Sequence, residues 1–195
     1  MKKILIMISG RGSNMKAIAE NIENGILKNL CKISEVFSNK KDAPGIEIAK
    51  KIGLKNYMIK SKGKKRKTYN SLLLEYLKEK NPDYIILAGY MKIISPEIVR
   101  EFPNRIINIH PADTVLHQGL HGYDWAFQNK LKATKITVHY VDSGLDTGNV
   151  IAKKEVNIAG CKTVEEVEQT GLKVEHQFYS ECLKKVFTAK VAKKR

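Results

Sequence analysis

Hydrophobic runs alternate with amphipathic stretches through the first two thirds of the chain. Residues 3–8 contain the unbroken run Ile4-Leu5-Ile6-Met7-Ile8 and read as a buried strand. Residues 14–24 place Met15, Ile18, Ala19 and Ile22 on one helical face. The same reading predicts a strand over 33–37, a helix over 43–52 and a short strand over 56–59. A helix over 68–80 follows, with Leu72, Leu73, Tyr76 and Leu77 as its apolar stripe, ended by Asn81-Pro82-Asp83. Strands over 84–88 and 105–109 come next. Strands with unalternating apolar residues, separated by helices, specify a mainly parallel sheet covered on both faces. Residues 135–141 and 150–156 are β-rich and joined by a glycine-containing loop, so they pair antiparallel at the sheet's end. A long helix over 163–186 closes the chain, with Thr163 as its cap and Glu165 and Glu166 in its first turn. Gly171 weakens the case for that helix being unbroken. The pattern as a whole is one α/β domain.

The composition narrows the class. The chain has 195 residues, of which 43% are apolar, the share of an ordinary globular domain. No apolar run nears the ~20 residues of a membrane span, and the N-terminal run is too short for a secretory signal. Cys31, Cys161 and Cys182 are odd in number and widely spaced, which argues against a disulfide framework and for a reducing, cytoplasmic setting. The net charge is +15, but it is localised: residues 60–67 and 184–195 each hold six bases and no acid, so twelve of the charges sit in one loop and one tail. Apart from Phe187 neither cluster interleaves aromatics, so a nucleic-acid partner is not expected; solvated surface is the simpler reading. Such a field still draws small anions.

Candidate chemistry lies at two strand ends. The first strand runs through Ser9-Gly10-Arg11-Gly12-Ser13-Asn14 straight into a helix, where backbone N–H groups meet the positive end of the helix dipole. Met15 replaces the third glycine of the dinucleotide fingerprint, and the next strand ends in Ser38-Asn39 without the expected acid. NAD is therefore disfavoured. Two readings remain open: a single phosphate held by Gly12, Ser13 and Asn14, or a plain tight turn with Ser13 or Asn14 capping the helix. Farther on, Asn108 and His110 stand two apart at the end of a strand stopped by Pro111, so both leave one face at the carboxyl edge of the sheet. An amide donor beside an imidazole suits acyl transfer, although such a pair can also merely satisfy a turn. The loop His139-Tyr140-Val141-Asp142-Ser143-Gly144-Leu145-Asp146-Thr147-Gly148 offers an acid; beside His110 it would favour the charged ring and raise its pKa. Calcium is disfavoured because the loop lacks the D-x-D-x-D-G pattern. Zinc at His117 and His121 lacks the intervening Glu of H-E-x-x-H, and no metal is expected.

With these elements in order, the sequence resembles the phosphoribosylglycinamide formyltransferases, a folate-dependent family. The resemblance rests on residues 8–14, Phe37-Ser38-Asn39-Lys40, residues 87–95, Asn108-Ile109-His110-Pro111, Gly119-Leu120-His121, Leu145-Asp146-Thr147-Gly148 and Glu175-His176, and spans nearly the whole chain. It implies a single Rossmann-like formyltransferase domain over 1–187 and a basic tail over 188–195. It further implies 10-formyltetrahydrofolate as formyl donor, glycinamide ribonucleotide as acceptor, no membrane or nucleic-acid partner, and a homodimer left open. Catalysis falls by that resemblance on Asn108, His110 and Asp146, the Asp keeping the ring protonated. Gly12, Ser13, Asn14, Met15 and Glu175 would hold the ribonucleotide. Arg66, Met91, Lys92, Ile93, Ile94, Asn108, Asp142, Ser143, Gly144, Leu145 and Asp146 would meet the folate.

Departures from the family pattern are few. Ala112-Asp113-Thr114-Val115 stands where Ser-Leu-Leu-Pro is common, Lys92 where arginine is usual, Leu172 at a commonly polar position, and Asn149 in place of proline. They bear on acceptor identity more than on catalysis, and leave a sugar-nucleotide formyltransferase as a rival, beside a basic anion- or nucleic-acid-binding module from a different class. A methionyl-tRNA formyltransferase is expected to need a further C-terminal domain, and a formyltetrahydrofolate hydrolase an N-terminal one.

Overall fold

The first apolar run becomes β1 (Lys2–Ile8), whose alternation sets the architecture. Ile4, Ile6 and Ile8 point into one core, Leu5 and Met7 into the other, and none of the five is exposed. The remaining elements are α1 (Ser13–Asn24), β2 (Cys31–Ser38), α2 (Pro44–Lys51), β3 (Asn56–Met58), α3 (Arg66–Lys80), β4 (Tyr84–Leu87), α4 (Pro96–Glu101), β5 (Ile106–His110), α5 (Gly122–Gln128), β6 (Ala133–Tyr140), β7 (Val150–Asn157) and α6 (Val164–Thr188). The computed structural model describes residues 1–189. Among these, the seven strands form one sheet in the order β3-β2-β1-β4-β5-β6-β7, parallel from β3 to β5 and antiparallel from β5 to β7. The core on one face is filled from α1, α2, α5 and α6, that on the other from α3 and α4. The expected mixed sheet with helices on both faces is therefore the one observed.

The chain leaves β1 toward β2 and β3 on one side and returns to β4 on the other. A crevice opens at such a reversal, beyond the carboxyl ends of the strands. It lies between the turn after β1 and the ends of β4 and β5.

Local rules explain most boundaries. Asn81 ends α3 in the left-handed conformation, φ 38°, ahead of Pro82. Thr163 Oγ accepts from the Glu166 N–H at 3.2 Å while Glu166 Oε2 accepts from the Lys162 N–H at 2.6 Å, a near-reciprocal start to α6. Four expectations are corrected. The α3 stripe is Tyr69, Leu73, Tyr76 and Leu77, and Leu72 turns outward. Gly171 does not interrupt α6: a side chain there would collide with the Tyr123 ring, so glycine is the residue that lets α5 and α6 touch. Neither Ser13 nor Asn14 caps α1, whose N-cap is Gly12 at φ 74°. Two short helices, α4 and α5, are additional to those the periodicity marked. The expected basic tail lies outside the described residues from 190 onward.

Candidate active site

The turn after β1 is shaped by glycine. Gly12 takes φ 74°, and a Cβ there would stand 2.8 Å from the Gly45 Cα, so two backbones meet where no side chain fits. Gly45 N–H donates to the Gly10 carbonyl at 3.0 Å, tying the start of α2 beneath the loop. The first backbone bond of α1 is Lys16 N–H to Gly12 O at 2.9 Å, so the N–H groups of Ser13, Asn14 and Met15 precede it at the helix's positive end. The Asn14 side chain is used elsewhere. Its Nδ2 donates to Glu175 Oε2 at 2.6 Å, and Tyr123 OH donates to Glu175 Oε1. Glu175 is thus a buried carboxylate held from two elements, and Asn14 Oδ1 is buried with no partner among the described residues. Met15 contributes only backbone here, because its side chain is fully buried in the core.

A second centre forms where β5 meets β6. Asn108 and His110 leave the end of β5 on one face, as their spacing requires. The loop from 141 to 149 folds back over them, shaped by Asp142, whose Oδ1 accepts from Gly144 N–H at 3.0 Å and Thr147 OH at 2.8 Å. It delivers Asp146 in the left-handed conformation, φ 54°, a position an Asp tolerates better than most residues. The Asp146 carboxylate is the hub. Asn108 Nδ2 donates to Oδ1 at 3.2 Å, Gly119 N–H donates to Oδ2 at 2.8 Å, His110 Nδ1 stands 3.4 Å from Oδ2, and His139 Nε2 stands 3.4 Å from Oδ1. His139 lies on β6 opposite Asn108, its Nδ1 donating to the Tyr140 carbonyl at 2.8 Å, so Nε2 faces Asn108 at 3.3 Å.

Electrostatics divide the pair. Burial pushes the Asp146 carboxyl up, but the adjoining His139 ring, the Gly119 N–H and the neighbouring His110 outweigh it, and the pKa lies below the ordinary 3.8. His110 goes down from 6.5: burial disfavours the imidazolium more than Asp146 and the His117 carbonyl favour it. This corrects the expectation of a raised pKa and a ring kept charged. His110 rests neutral near pH 7, its Nε2 3.0 Å from the His117 carbonyl.

These groups border a cavity of about 400 Å³. Asn108, His110 and Asp146 line it together with Met91, Lys92, Ile93 and Ile94 on one side and Asp142, Gly144 and Leu145 on the other. Ser143 lies exposed on the same loop outside the lining. Arg66 is not in this cavity; it borders a separate hollow with Ser95, Pro96 and Glu97. The two centres are joined at Ser9, whose OH donates to Asn39 Oδ1 at 2.5 Å and whose Oγ accepts from the Met91 N–H at 2.8 Å. His117 and His121 take different partners: His117 stacks on Trp125 with centroids 5.1 Å apart, and His121 Nδ1 approaches Asp124 at 3.5 Å. Among the described residues no group of three or more His, Cys, Asp or Glu side chains is placed so that it could hold a metal ion. The sequence reading passed over His139, Tyr123 and Gly45. A histidine within the β-branched run of β6, and a glycine in the middle of a helix, were the signals for the first two.

A mixed α/β sheet whose strand ends hold an amide, an imidazole and a carboxylate around a cavity, next to a glycine turn that opens a helix, has the makings of an acyl-group transferase. Residues 2–183 match the family model described as formyl transferase. The chain is 33% identical to the phosphoribosylglycinamide formyltransferase of Bacillus subtilis (strain 168) over 187 residues, covering 95% of each protein. It is 35% identical to the trifunctional purine biosynthetic protein adenosine-3 of Drosophila pseudoobscura pseudoobscura over 93% of its own length, but spans 13% of that protein. The crystal structure of phosphoribosylglycinamide formyltransferase from Streptococcus pneumoniae TIGR4 superposes with a TM-score of 0.87 at 36% identity, covering 96% of this chain and 100% of that one. The chain belongs to the formyl transferase family, on its phosphoribosylglycinamide formyltransferase branch.

Proposed function

We propose that this protein transfers the formyl group of 10-formyltetrahydrofolate to the amine of glycinamide ribonucleotide, a step of purine biosynthesis. The observation that carries this reading is the Asp146 carboxylate gathering Asn108 and His110 at the wall of one cavity. The folate occupies that cavity, between residues 91–94 and the 142–146 loop including Ser143, with Arg66 meeting its carboxylate end. The ribonucleotide phosphate lies on the N–H groups following Gly12, and its glycinamide end approaches Asn14 and Glu175.

The amine nitrogen attacks the formyl carbon, forming a C–N bond and moving an electron pair onto the formyl oxygen. The amine's proton passes to the His110–Asp146 pair. This suits a ring that rests neutral, and the new imidazolium keeps Asp146 as its counter-charge. The oxyanion then accepts from Asn108, which gives up its longer bond, the 3.3 Å contact with His139, and the charge of the neighbouring His110 imidazolium stabilises it. Collapse breaks the bond to the folate nitrogen, which takes the proton from the pair and leaves as tetrahydrofolate. No step requires a metal.

We place the protein in the cytoplasm, a reading supported by free Cys31, Cys161 and Cys182. Its assembly as monomer or homodimer is read by sedimentation velocity. The test of function is to mix the protein with both substrates and follow formation of deformylated folate. Turnover that needs the acceptor supports the reading, and equal turnover without it overturns it.

A further inference from the structure

The loop between β5 and α5 reaches the catalytic groups through its backbone. The His117 carbonyl accepts from His110 Nε2 at 3.0 Å, and the Gly119 N–H donates to Asp146 Oδ2 at 2.8 Å. Both contacts are made by peptide groups, so they hold only if the loop is held. Its outer part has little apolar anchorage: Val115 is 81% and Leu116 65% exposed. What roots it is Asp113. The Asp113 carbonyl accepts from the N–H groups of Leu116 and His117, each at 2.9 Å. Its side chain accepts from the Val115 N–H at 3.1 Å, from Lys135 Nζ of β6 at 3.1 Å, and from Lys153 Nζ of β7. One residue upstream, Thr137 OH donates to the Ala112 carbonyl at 2.8 Å.

A carboxylate 8% exposed beneath a surface loop is costly unless paired, and here two strands supply the cations. The lysine bonds and the Val115 N–H outweigh burial and bring its carboxyl down to about 2, so it is fully ionised at neutral pH. Asp113 does not line the cavity, and its side chain bonds to Val115, Lys135 and Lys153 rather than to Asp146. Its influence runs along the turn from 113 to 117, whose far end fixes the His110 acceptor.

We propose that Asp113, clamped between Lys135 and Lys153, is a positioning residue: an ionic root that sets the loop carrying the His117 carbonyl and the Gly119 N–H against His110 and Asp146. The proposal rests on the formyl-transfer reading for its kinetic consequence but not for its geometry. His110 is faced by Asp146 from the β6–β7 loop, by His139 from β6, and by His117 from the rooted loop itself. Releasing the loop removes the His117 carbonyl and admits water. Because burial is the larger influence on His110, the ring's pKa then rises toward its ordinary 6.5.

The test uses Asp113→Ala, Asp113→Asn and, leaving Asp113 in place, the double variant Lys135→Met with Lys153→Met. Trp125 is the chain's single tryptophan and stacks on His117 at 5.1 Å, so its quenching by acrylamide reports the loop without any turnover. Expected are a loss of ~10–100-fold in kcat, as for a displacement of about 1 Å in a catalytic constellation, with smaller changes in KM. The acid limb of the pH profile should move upward, and Trp125 should become more quenchable. Asp113→Asn, which keeps an acceptor for the Val115 N–H, should be milder than Asp113→Ala. Variants that melt earlier yet keep the wild-type acid limb and the wild-type quenching would make Asp113 a stabilising residue only and overturn the proposal. Should the wild-type protein transfer no formyl group, the quenching comparison still decides whether Asp113 roots the loop.

Discussion

β1 and β6 lie in the same sheet and are both largely buried, but they bury different things. From Ile4 to Ile8, β1 is entirely aliphatic apart from the Met7 thioether, and every one of those side chains is fully buried. β6 carries Thr137 and His139 in alternation with Ile136 and Val138, and its neighbour β5 ends in Asn108 and His110. Buried apolar residues are favourable wherever they pack, at ~25 cal/mol per Å². Buried polar groups are favourable only when bonded, and each of these is: Thr137 to Ala112, His139 to Tyr140, Asn108 to Asp146, His110 to His117. The parallel half of the sheet is therefore scaffold. The antiparallel half gives up some packing to hold a network, and a network of that kind is kept where chemistry needs its groups in place.

The sharpest way to break this comparison is to truncate one residue from each half. His110→Ala should lower kcat by ~10²–10³-fold, as for removal of an oxyanion donor, with the melting transition little changed. Asp146→Asn, which keeps the shape and removes the charge, should fall in the same range. Ile6→Ala should do the opposite: a loss of ~2–5 kcal/mol in unfolding free energy with kcat of the folded protein intact. Steady-state kinetics and urea titrations of the three variants measure both axes. If His110→Ala turned over like wild type, or Ile6→Ala lost kcat while folded, the division of the sheet would fail.

How much of this was legible in the residues differs in the same way between the halves. Unbroken apolar runs announced β1 and β4, because a strand buried on both faces has no alternation to hide behind. The α4 and α5 helices were not legible: six and seven residues are too few turns for a 3.6-residue period to repeat. At the site, spacing alone put Asn108 and His110 on one face, but their meeting with Asp146 depends on the 141–149 loop folding back, a long-range event with no local signature. The direction of the His110 pKa was misjudged for a related reason. A nearby Asp can be guessed from sequence, whereas the depth of burial that outweighs it is a property of the assembled core. Asp113 read as a departure in a loop because its two lysines come from strands more than twenty residues away.

A smaller effect is expected at the scaffold end of the crevice, where β1 hands over to α1. Gly12→Ala must place a side chain at φ 74°, worth roughly 1–2 kcal/mol, and bring its Cβ to 2.8 Å from the Gly45 Cα. The turn should shift and the KM for the ribonucleotide should rise about tenfold, since ~1.4 kcal/mol corresponds to one decade. The KM for the folate should barely move. Equal increases for both substrates would mean that the turn supports the whole crevice and not one anion.

The pH dependence sharpens the contrast further. His110 has its pKa depressed in the folded protein, so on acidification the unfolded chain takes up a proton near 6.5 that the folded chain refuses. Stability should fall as pH drops below 6.5 toward the folded value, by no more than about 1.4 kcal/mol per pH unit. kcat/KM should fall in the same direction if the neutral ring is the one that takes the amine's proton. Asp113 adds a second, lower window: its contribution is present above 3.8 and is lost as pH falls through about 2. Urea midpoints measured across that range, for wild type and His110→Gln, separate the two. Rising activity on acidification would mean that the imidazolium is the resting catalyst.

The smallest effect is expected from the basic tail, which contrasts with the site rather than with the scaffold. Removing residues 190–195 takes away four positive charges from a chain whose net charge is +15. Both proposed substrates are anions, so the general field should favour encounter with them. A charge that acts only through the field is screened over ~10 Å at 0.1 M salt. Truncation should therefore lower kcat/KM by no more than about twofold at low ionic strength, leave it unchanged at physiological salt, and leave kcat unchanged at both, because encounter and not chemistry is touched. A loss of kcat that persists in high salt, in a truncated protein with the wild-type melting curve, would instead give the tail a contact of its own with substrate or with a partner.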